Sequence, residues 1–402
     1  MRLSVLVGAL ALLAAHAQAA PRWIGSWGAS PTPPMVVASS MPARFLAPSF
    51  ENQTVAQVVR LSAGGGRLRL RLSNEYGAKP LLIGAARVAL VGPDGGVVAG
   101  SARTVTFAGA ATATIPPAAP LLSDAVALKV PPLARLRVSL FLPGPTGPCT
   151  CHMSGQEFVV ATGPGDLTAG PLPAATGPAQ YRAFLTGVEV ETGVPGRVIV
   201  ALGDSITDGA ASTPGKDHRW PDRLAERLAQ AYPGRAMAVV NAGIGGNRVL
   251  SDPPIALFGQ SALTRFDRDV LSTPGATDVI LLEGVNDLGA SVGRPSAQDM
   301  IAGYRQLIDR AHAHGLRIVG ATILPYGGAA YFTAEGEAAR QAINAWIRKP
   351  GNFDAAIDLD AAVRDPATPT KMRAELQSGD WLHPNDAGYR AMGEAIDLGL
   401  FR

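Results

Sequence analysis

Arg197-Val198-Ile199-Val200-Ala201-Leu202-Gly203-Asp204-Ser205-Ile206-Thr207-Asp208-Gly209 is the stretch whose reading decides the fold. Val198 to Leu202 is a continuous apolar run rich in β-branched residues, the pattern of a strand buried on both faces of a parallel sheet. It runs straight into Gly203-Asp204-Ser205, a sharp turn that glycine accommodates. A serine at the C-terminal end of such a strand stands where α/β sheets place their ligands. Asp204 and Ser205 also suit a helix N-cap, and this stretch alone leaves both readings open.

Outward from this point the chain alternates strand and helix. Strands fit Val198–Leu202, Met237–Asn241, Asp278–Leu282, Leu316–Thr322 and Ala355–Asp358. Amphipathic helices fit Trp220–Tyr232, Leu263–Leu271, Ala297–His314, Ala334–Arg348 and Asp386–Leu398. That order predicts a doubly wound, five-stranded parallel sheet with helices on both faces.

The first half reads differently. Trp23 to Pro34 opens a Pro- and Ser-rich run to about Ser49, which favours extended chain. Thr54–Leu61 reads as a strand, Gly64-Gly65-Gly66 as a turn, and Arg67–Leu72 alternates strictly between Arg and Leu. Two such runs around a Gly turn predict a hairpin. Ala86–Leu90, Val126–Val130, Leu136–Phe141 and Phe184–Val190 add short strands, and Gly163 to Pro178 reads as a loop. Regular spacing of such strands predicts a β-sandwich-like domain. The expected division is residues 1–19, 20–192 and 193–402.

Residues 1–19 carry a short positive start, an apolar run and Ala17-Gln18-Ala19, the pattern of a secretory signal peptide cleaved after Ala19. The apolar run is too short to span a membrane, so an exported protein, periplasmic or extracellular, is expected. The formal net charge of +3 over 402 residues, without any block of like charge, gives no sign of a nucleic-acid surface, and no nucleic-acid partner is expected. The two cysteines, Cys149 and Cys151, suit either a small-loop disulfide or a pair of free thiols. Only His152 lies near them, so no metal site is expected.

Three more polar segments follow strand ends or close the chain: Asn241 to Arg248, Glu283 to Asp287 and Asp380 to Asn385. Their chemistry is complementary. Ser205 needs a base to become a nucleophile, and His383 is a base suited to neutral pH. Asp380, three residues before it, can hold the other ring nitrogen. The N–H groups of Ser205 and Gly243 and the Asn286 amide can receive a developing oxyanion.

With these residues in place the chain resembles the SGNH (GDSL) hydrolase superfamily. The matching blocks are Gly203-Asp204-Ser205-Ile206-Thr207-Asp208, Asn241-Ala242-Gly243, Gly284-Val285-Asn286-Asp287 and Asp380-Trp381-Leu382-His383-Pro384. The resemblance implies nucleophile Ser205, base His383, orienting Asp380, oxyanion donors Ser205, Gly243 and Asn286, and no cofactor. Asp204, Asn247 and His152 are expected at the substrate. The Trp23 to Pro31 opening and Thr146 to His152 resemble an exported bacterial esterase group with an N-terminal β-rich domain. That resemblance implies hydrolysis of short acyl esters, acetyl above all, on a small molecule or polysaccharide. An arylesterase or lipase acting on apolar esters, and an inactive polysaccharide-binding protein, are the alternatives. The N-terminal domain is expected to pack on the hydrolase domain and help shape its cleft.

Other motifs exclude other chemistries. Arg248 stands where a dinucleotide loop beginning at Gly243 needs its third glycine. The one G-x-S-x-G pentapeptide, Gly289 to Gly293, does not follow directly on a predicted strand, so it is not the elbow of an α/β-hydrolase fold. His312 and His314 fall at a predicted helix end, where a cation is favourable, and Asp208 reads as a cap.

Overall fold

The computed structural model describes residues 20–35, 46–157, 159–170, 179–289 and 293–402. The leader expected at residues 1–19 lies outside the described residues, as do parts of the Pro- and Ser-rich run and of the loop around Gly163–Pro178.

The first half is built of β1 (Arg22–Gly28), β2 (Gln53–Arg60), β3 (Arg67–Ser73), β4 (Leu81–Ile83), β5 (Ala85–Val91), β6 (Arg103–Thr104), β7 (Ala113–Ile115), β8 (Pro120–Leu122), β9 (Arg135–Leu142), β10 (Cys151–Glu157), β11 (Val159–Pro164), β12 (Ala179–Ala183) and β13 (Leu185–Thr192). One sheet has the order β1-β13-β3-β8 and a second the order β11-β2-β9-β5-β6; β10 pairs with β12 and β4 with β7. The apolar faces of the two larger sheets share one core.

β3 shows why the sequence folds this way. Leu68, Leu70 and Leu72 are wholly buried, and the arginines between them face outward. There Arg67 and Arg69 pair with Glu191 and Glu189 of β13 at 2.6 and 2.5 Å.

The expected hairpin between Thr54–Leu61 and Arg67–Leu72 does not form. β2 and β3 lie in different sheets, and the glycine turn carries the chain from one to the other. Gly65 N–H donates to Val130 O and Gly66 N–H to Glu191 O, at 2.9 and 3.0 Å. Face-to-face stacking buries Val55 and Val59 of β2 together with the β3 leucines in one core, and that burial outweighs local turn preference. Val126–Val130 makes only isolated bridges to Leu68 and Gly65. Cys149 and Cys151 form a disulfide with Cα atoms 5.3 Å apart, both buried in the sandwich core.

The second half carries β14 (Gly196–Gly203), β15 (Ala236–Gly243), β16 (Ala276–Leu282), β17 (Arg317–Ala321) and β18 (Ala355–Ile357), all parallel, in the order β15-β14-β16-β17-β18. This is the five-stranded sheet expected, with its switch point at β14. Its helices are α1 (Ser205–Asp208), α2 (Trp220–Ala231), α3 (Ala262–Phe266), α4 (Val285–Leu288), α5 (Ala297–Ala313), α6 (Ala334–Arg348), α7 (Leu359–Val363) and α8 (Asp386–Ala395). α2 packs with α8, and α5 packs with α3 and α6. The helix expected over Leu263–Leu271 changes after Phe266 into a π-type turn, Asp267–Leu271.

β15 is an edge strand, and the N-terminal sheets cover it. Met237 and Val239 point into the hydrolase core, whereas Ala236, Ala238 and Val240 belong to the core of the sandwich. Val239 N–H donates to Ser62 Oγ at 3.0 Å, and Gly25 N–H to Pro274 O at 2.8 Å. An edge that would otherwise offer free backbone groups is thereby closed.

Candidate active site

The site begins with the end of β14. Asp204 caps α1, its Oδ1 accepting from Ile206 N–H at 2.9 Å. Ser205 is then the first helical residue, its hydroxyl held at the sheet edge. Glycine is required on both sides of this turn. A Cβ at Gly203 would strike Thr207 and the Leu282 carbonyl, and one at Gly243 would strike the α1 backbone at Thr207 and Asp208.

The Asp380–Pro384 loop folds over this edge. Ser205 Oγ lies 2.8 Å from His383 Nε2, and His383 Nδ1 lies 2.6 Å from Asp380 Oδ2. Asp380 Oδ1 accepts from the N–H groups of Leu382 and His383, each at 2.9 Å. Burial alone would raise the Asp380 pKa, but the hydrogen bonds from the His383 ring and these two N–H groups hold it well below the usual carboxylate range. An ionised Asp380 accepts the hydrogen bond from Nδ1–H and leaves Nε2 as an acceptor facing the serine hydroxyl. Between them Trp381 adopts a left-handed backbone, φ 60°, with its ring packed on Gly328 and the Lys371 ammonium 5.0 Å from the ring centre.

Asn286 sits on α4, at the end of β16. Its Nδ2 donates to the Asn247 carbonyl at 2.9 Å, and Tyr331 Oη donates to its Oδ1 at 3.2 Å. These contacts fix the amide's orientation and leave one Nδ2 hydrogen for a ligand. Asp287 accepts from Val249 and Leu250 N–H at 2.9 and 3.2 Å, and burial pushes its pKa up to about 6. Beneath the turn, burial raises Asp204 to about 7, and raises Glu283 well above the usual carboxylate value.

Several sequence expectations are corrected here. The Gly243 N–H, expected at the oxyanion, instead donates to Asn241 Oδ1 at 2.8 Å. Asp204 is buried under the turn as a helix cap, out of reach of a substrate. Asn247 is wholly buried, its Nδ2 donating to Phe258 O and Gln260 O and its Oδ1 accepting from Arg265 Nε. His152 is also buried, its Nδ1 2.8 Å from Ser30 O and its Nε2 2.9 Å from Asp208 Oδ1. The Asn247 and His152 side chains spend their polar atoms on the protein, and Asp208 is the partner of His152 rather than a helix cap. Tyr331, bonded to Asn286, and Arg265, bonded to Gly203, Ala242 and Asn247, are neighbours that sequence reasoning missed.

No helix among the described residues is long and apolar enough to cross a membrane, and no cluster of His, Cys, Asp and Glu there could hold a metal ion. Residues 201–391 match the model of the GDSL-like Lipase/Acylhydrolase family. Among solved structures the chain is similar to a protein described as lipolytic, of the G-D-S-L family, from Desulfitobacterium hafniense, at 24% identity over 49% of this chain and 96% of that one, TM-score 0.38. An acetyl xylan esterase is 23% identical over 49% and 96%, TM-score 0.38. The Mycobacterium smegmatis (M. smegmatis) aryl esterase is 16% identical over 50% and 95%, TM-score 0.41. No curated protein matches the chain. The chain thus carries, in residues 201–391, a GDSL-like lipase/acylhydrolase domain, that of a carboxylic ester hydrolase.

Proposed function

We propose that this is an exported serine esterase that removes short acyl groups, acetyl foremost, from a carbohydrate through an acyl-Ser205 intermediate. The observation that carries the reading is the continuous chain Ser205 Oγ to His383 Nε2 at 2.8 Å and His383 Nδ1 to Asp380 Oδ2 at 2.6 Å.

In this reading Ser205 Oγ attacks the ester carbonyl while His383 Nε2 takes its proton. The tetrahedral oxyanion meets Ser205 N–H and Asn286 Nδ2. Protonated His383 then gives its proton to the leaving alkoxide. A water molecule, deprotonated by the same histidine, releases the acid and restores the serine. No cofactor enters any step. Tyr331 Oη donates to Asn286 Oδ1 at 3.2 Å and so helps orient the amide that this reading assigns to the oxyanion. Export rests on the leader pattern of residues 1–19, and a domain division at 192/193 belongs to the same proposal.

The test is turnover of acetyl and long-chain p-nitrophenyl esters by the wild type and Ser205→Ala, followed by acetate release from acetylated polysaccharides. Acetyl preference, lost in Ser205→Ala, supports the reading. Preference for long chains would move it to an arylesterase or lipase, and turnover by Ser205→Ala would remove the serine route.

A further inference from the structure

Arg265 is the side chain on which the pieces of this site converge. It lies on α3, wholly inside the protein, where an arginine is costly unless its donors are satisfied. Each arm of its guanidinium has a partner. Nη2 donates to Gly203 O at 2.9 Å, Nη1 to Ala242 O at 2.7 Å and to Asp269 Oδ2 at 2.9 Å, and Nε to Asn247 Oδ1 at 2.9 Å.

Those acceptors are not scattered. Gly203 ends β14 two residues before Ser205. Ala242 precedes Gly243, against which the α1 backbone packs closely. Asn247 is the residue whose carbonyl takes Asn286 Nδ2 at 2.9 Å. One planar group therefore holds the nucleophile strand, the neighbouring strand and, through one intermediary, the oxyanion amide. A fork of five donors can do this, and a lysine ammonium cannot point in the same three directions. Preorganised donors gain their catalytic worth from being fixed before charge develops.

We propose that Arg265 is a positioning residue of the oxyanion site, setting Ser205 N–H and Asn286 Nδ2 at the spacing a tetrahedral intermediate needs. The proposal rests on the acyl-transfer reading given above. Arg265 does not touch substrate. Its effect appears in the transition state and not in ground-state binding, because the acceptors it holds carry the groups that meet the oxyanion. Asp269 and Glu283 face it from the π-type turn and from the end of β16, the Glu283 carboxyl 3.7 Å away and otherwise without a hydrogen-bond partner among the described residues.

The experiment compares wild type, Ser205→Ala, Arg265→Lys and Asn247→Ser on p-nitrophenyl acetate, with phenylboronic acid as a tetrahedral mimic. Folding is checked by circular dichroism. Folded Arg265→Lys should lose about 100-fold in kcat with KM nearly unchanged, and bind phenylboronic acid correspondingly more weakly. A lower Tm with kcat and boronate affinity retained overturns the proposal, because a purely structural role would show only that. If Arg265→Lys does not fold, Asn247→Ser reads the same linkage. A kcat loss of about tenfold or more at constant KM supports the proposal, and wild-type kcat overturns it. Absent wild-type turnover, or turnover by Ser205→Ala, would overturn the esterase reading itself, so the two failures are distinct.

Discussion

His152 Nε2 lies 2.9 Å from Asp208 Oδ1, a buried contact that joins the N-terminal sheets to the helical turn beginning at Ser205. The other ring nitrogen faces the Ser30 carbonyl, which only accepts, so Nδ1 carries a proton. Both ring nitrogens thus face oxygen acceptors supplied by the protein.

His152→Ala would leave the Asp208 carboxylate buried without this partner. Removing one member of a buried pair costs about 3–5 kcal/mol, so Tm should fall clearly. The α1 turn should loosen with it, lowering kcat on p-nitrophenyl acetate while KM stays near wild type. Differential scanning calorimetry and steady-state kinetics check both. A raised KM at unchanged Tm would return His152 to the substrate.

The His383 and Asp380 variants should separate by severity. His383→Ala removes the base, and activity should fall to background. Asp380→Asn loses the charge that orients the ring, but the half-exposed loop keeps its backbone. It should retain measurable turnover at about one hundredth of wild type or below. Because Asp380 is held well below the usual carboxylate range, it stays ionised throughout the working pH range. The acid limb of kcat/KM should therefore carry no contribution from Asp380. Equal and mild losses would place the loop away from the chemistry.

Ser205, His383, Asp380 and Asn286 were legible because each pairs an unusual residue type with a strand end or closing loop. The doubly wound parallel sheet followed from the alternation of strands and helices. Two kinds of feature were hidden. The hairpin expectation failed because an alternating strand such as Arg67–Leu72 records which face is buried, not which strand pairs beside it. Arg265 was hidden because a single arginine on a helix, four residues before an aspartate, usually reads as a surface pair. Its burial exists only once the ends of β14 and β15 stand beside each other. His152 and Asn247 were misassigned for a related reason. Polar side chains near a site are as often spent on holding the backbone as on the ligand.

Asp204 predicts how stability varies with pH. Burial raises it to about 7 in the folded protein, above an ordinary unfolded value of about 4. The folded state thus prefers the protonated form. Its contribution is fully present below pH 4 and is lost as pH rises through 7. Asp287, raised to about 6, acts in the same direction. Asn can also cap a helix, so Asp204→Asn should fold and flatten the decline in Tm between pH 4 and 7. An unchanged slope in a thermal-melt series would mean that Asp204 is ionised in the folded state.

The N-terminal sheets should be inseparable from the hydrolase half. Ala236, Ala238 and Val240 of the edge strand β15 share a core with β-sandwich residues such as Ile24 and Leu61. Polar links run beside them: Val239 N–H to Ser62 Oγ at 3.0 Å, Arg60 to Glu226 at 2.9 Å, and the Arg135 guanidinium to Gly215 O at 2.8 Å. A fragment beginning at Val194 would expose that apolar row together with an unpaired strand edge, a combination that drives aggregation. It would also strip His152 from Asp208, directly under the nucleophile. We expect residues 194–402 to be insoluble or to melt far below the full chain. Any soluble fraction should show reduced kcat on p-nitrophenyl acetate, measured by gel filtration followed by assay. A soluble, monomeric fragment with the full chain's kcat/KM would show that the sandwich neither stabilises nor shapes the site.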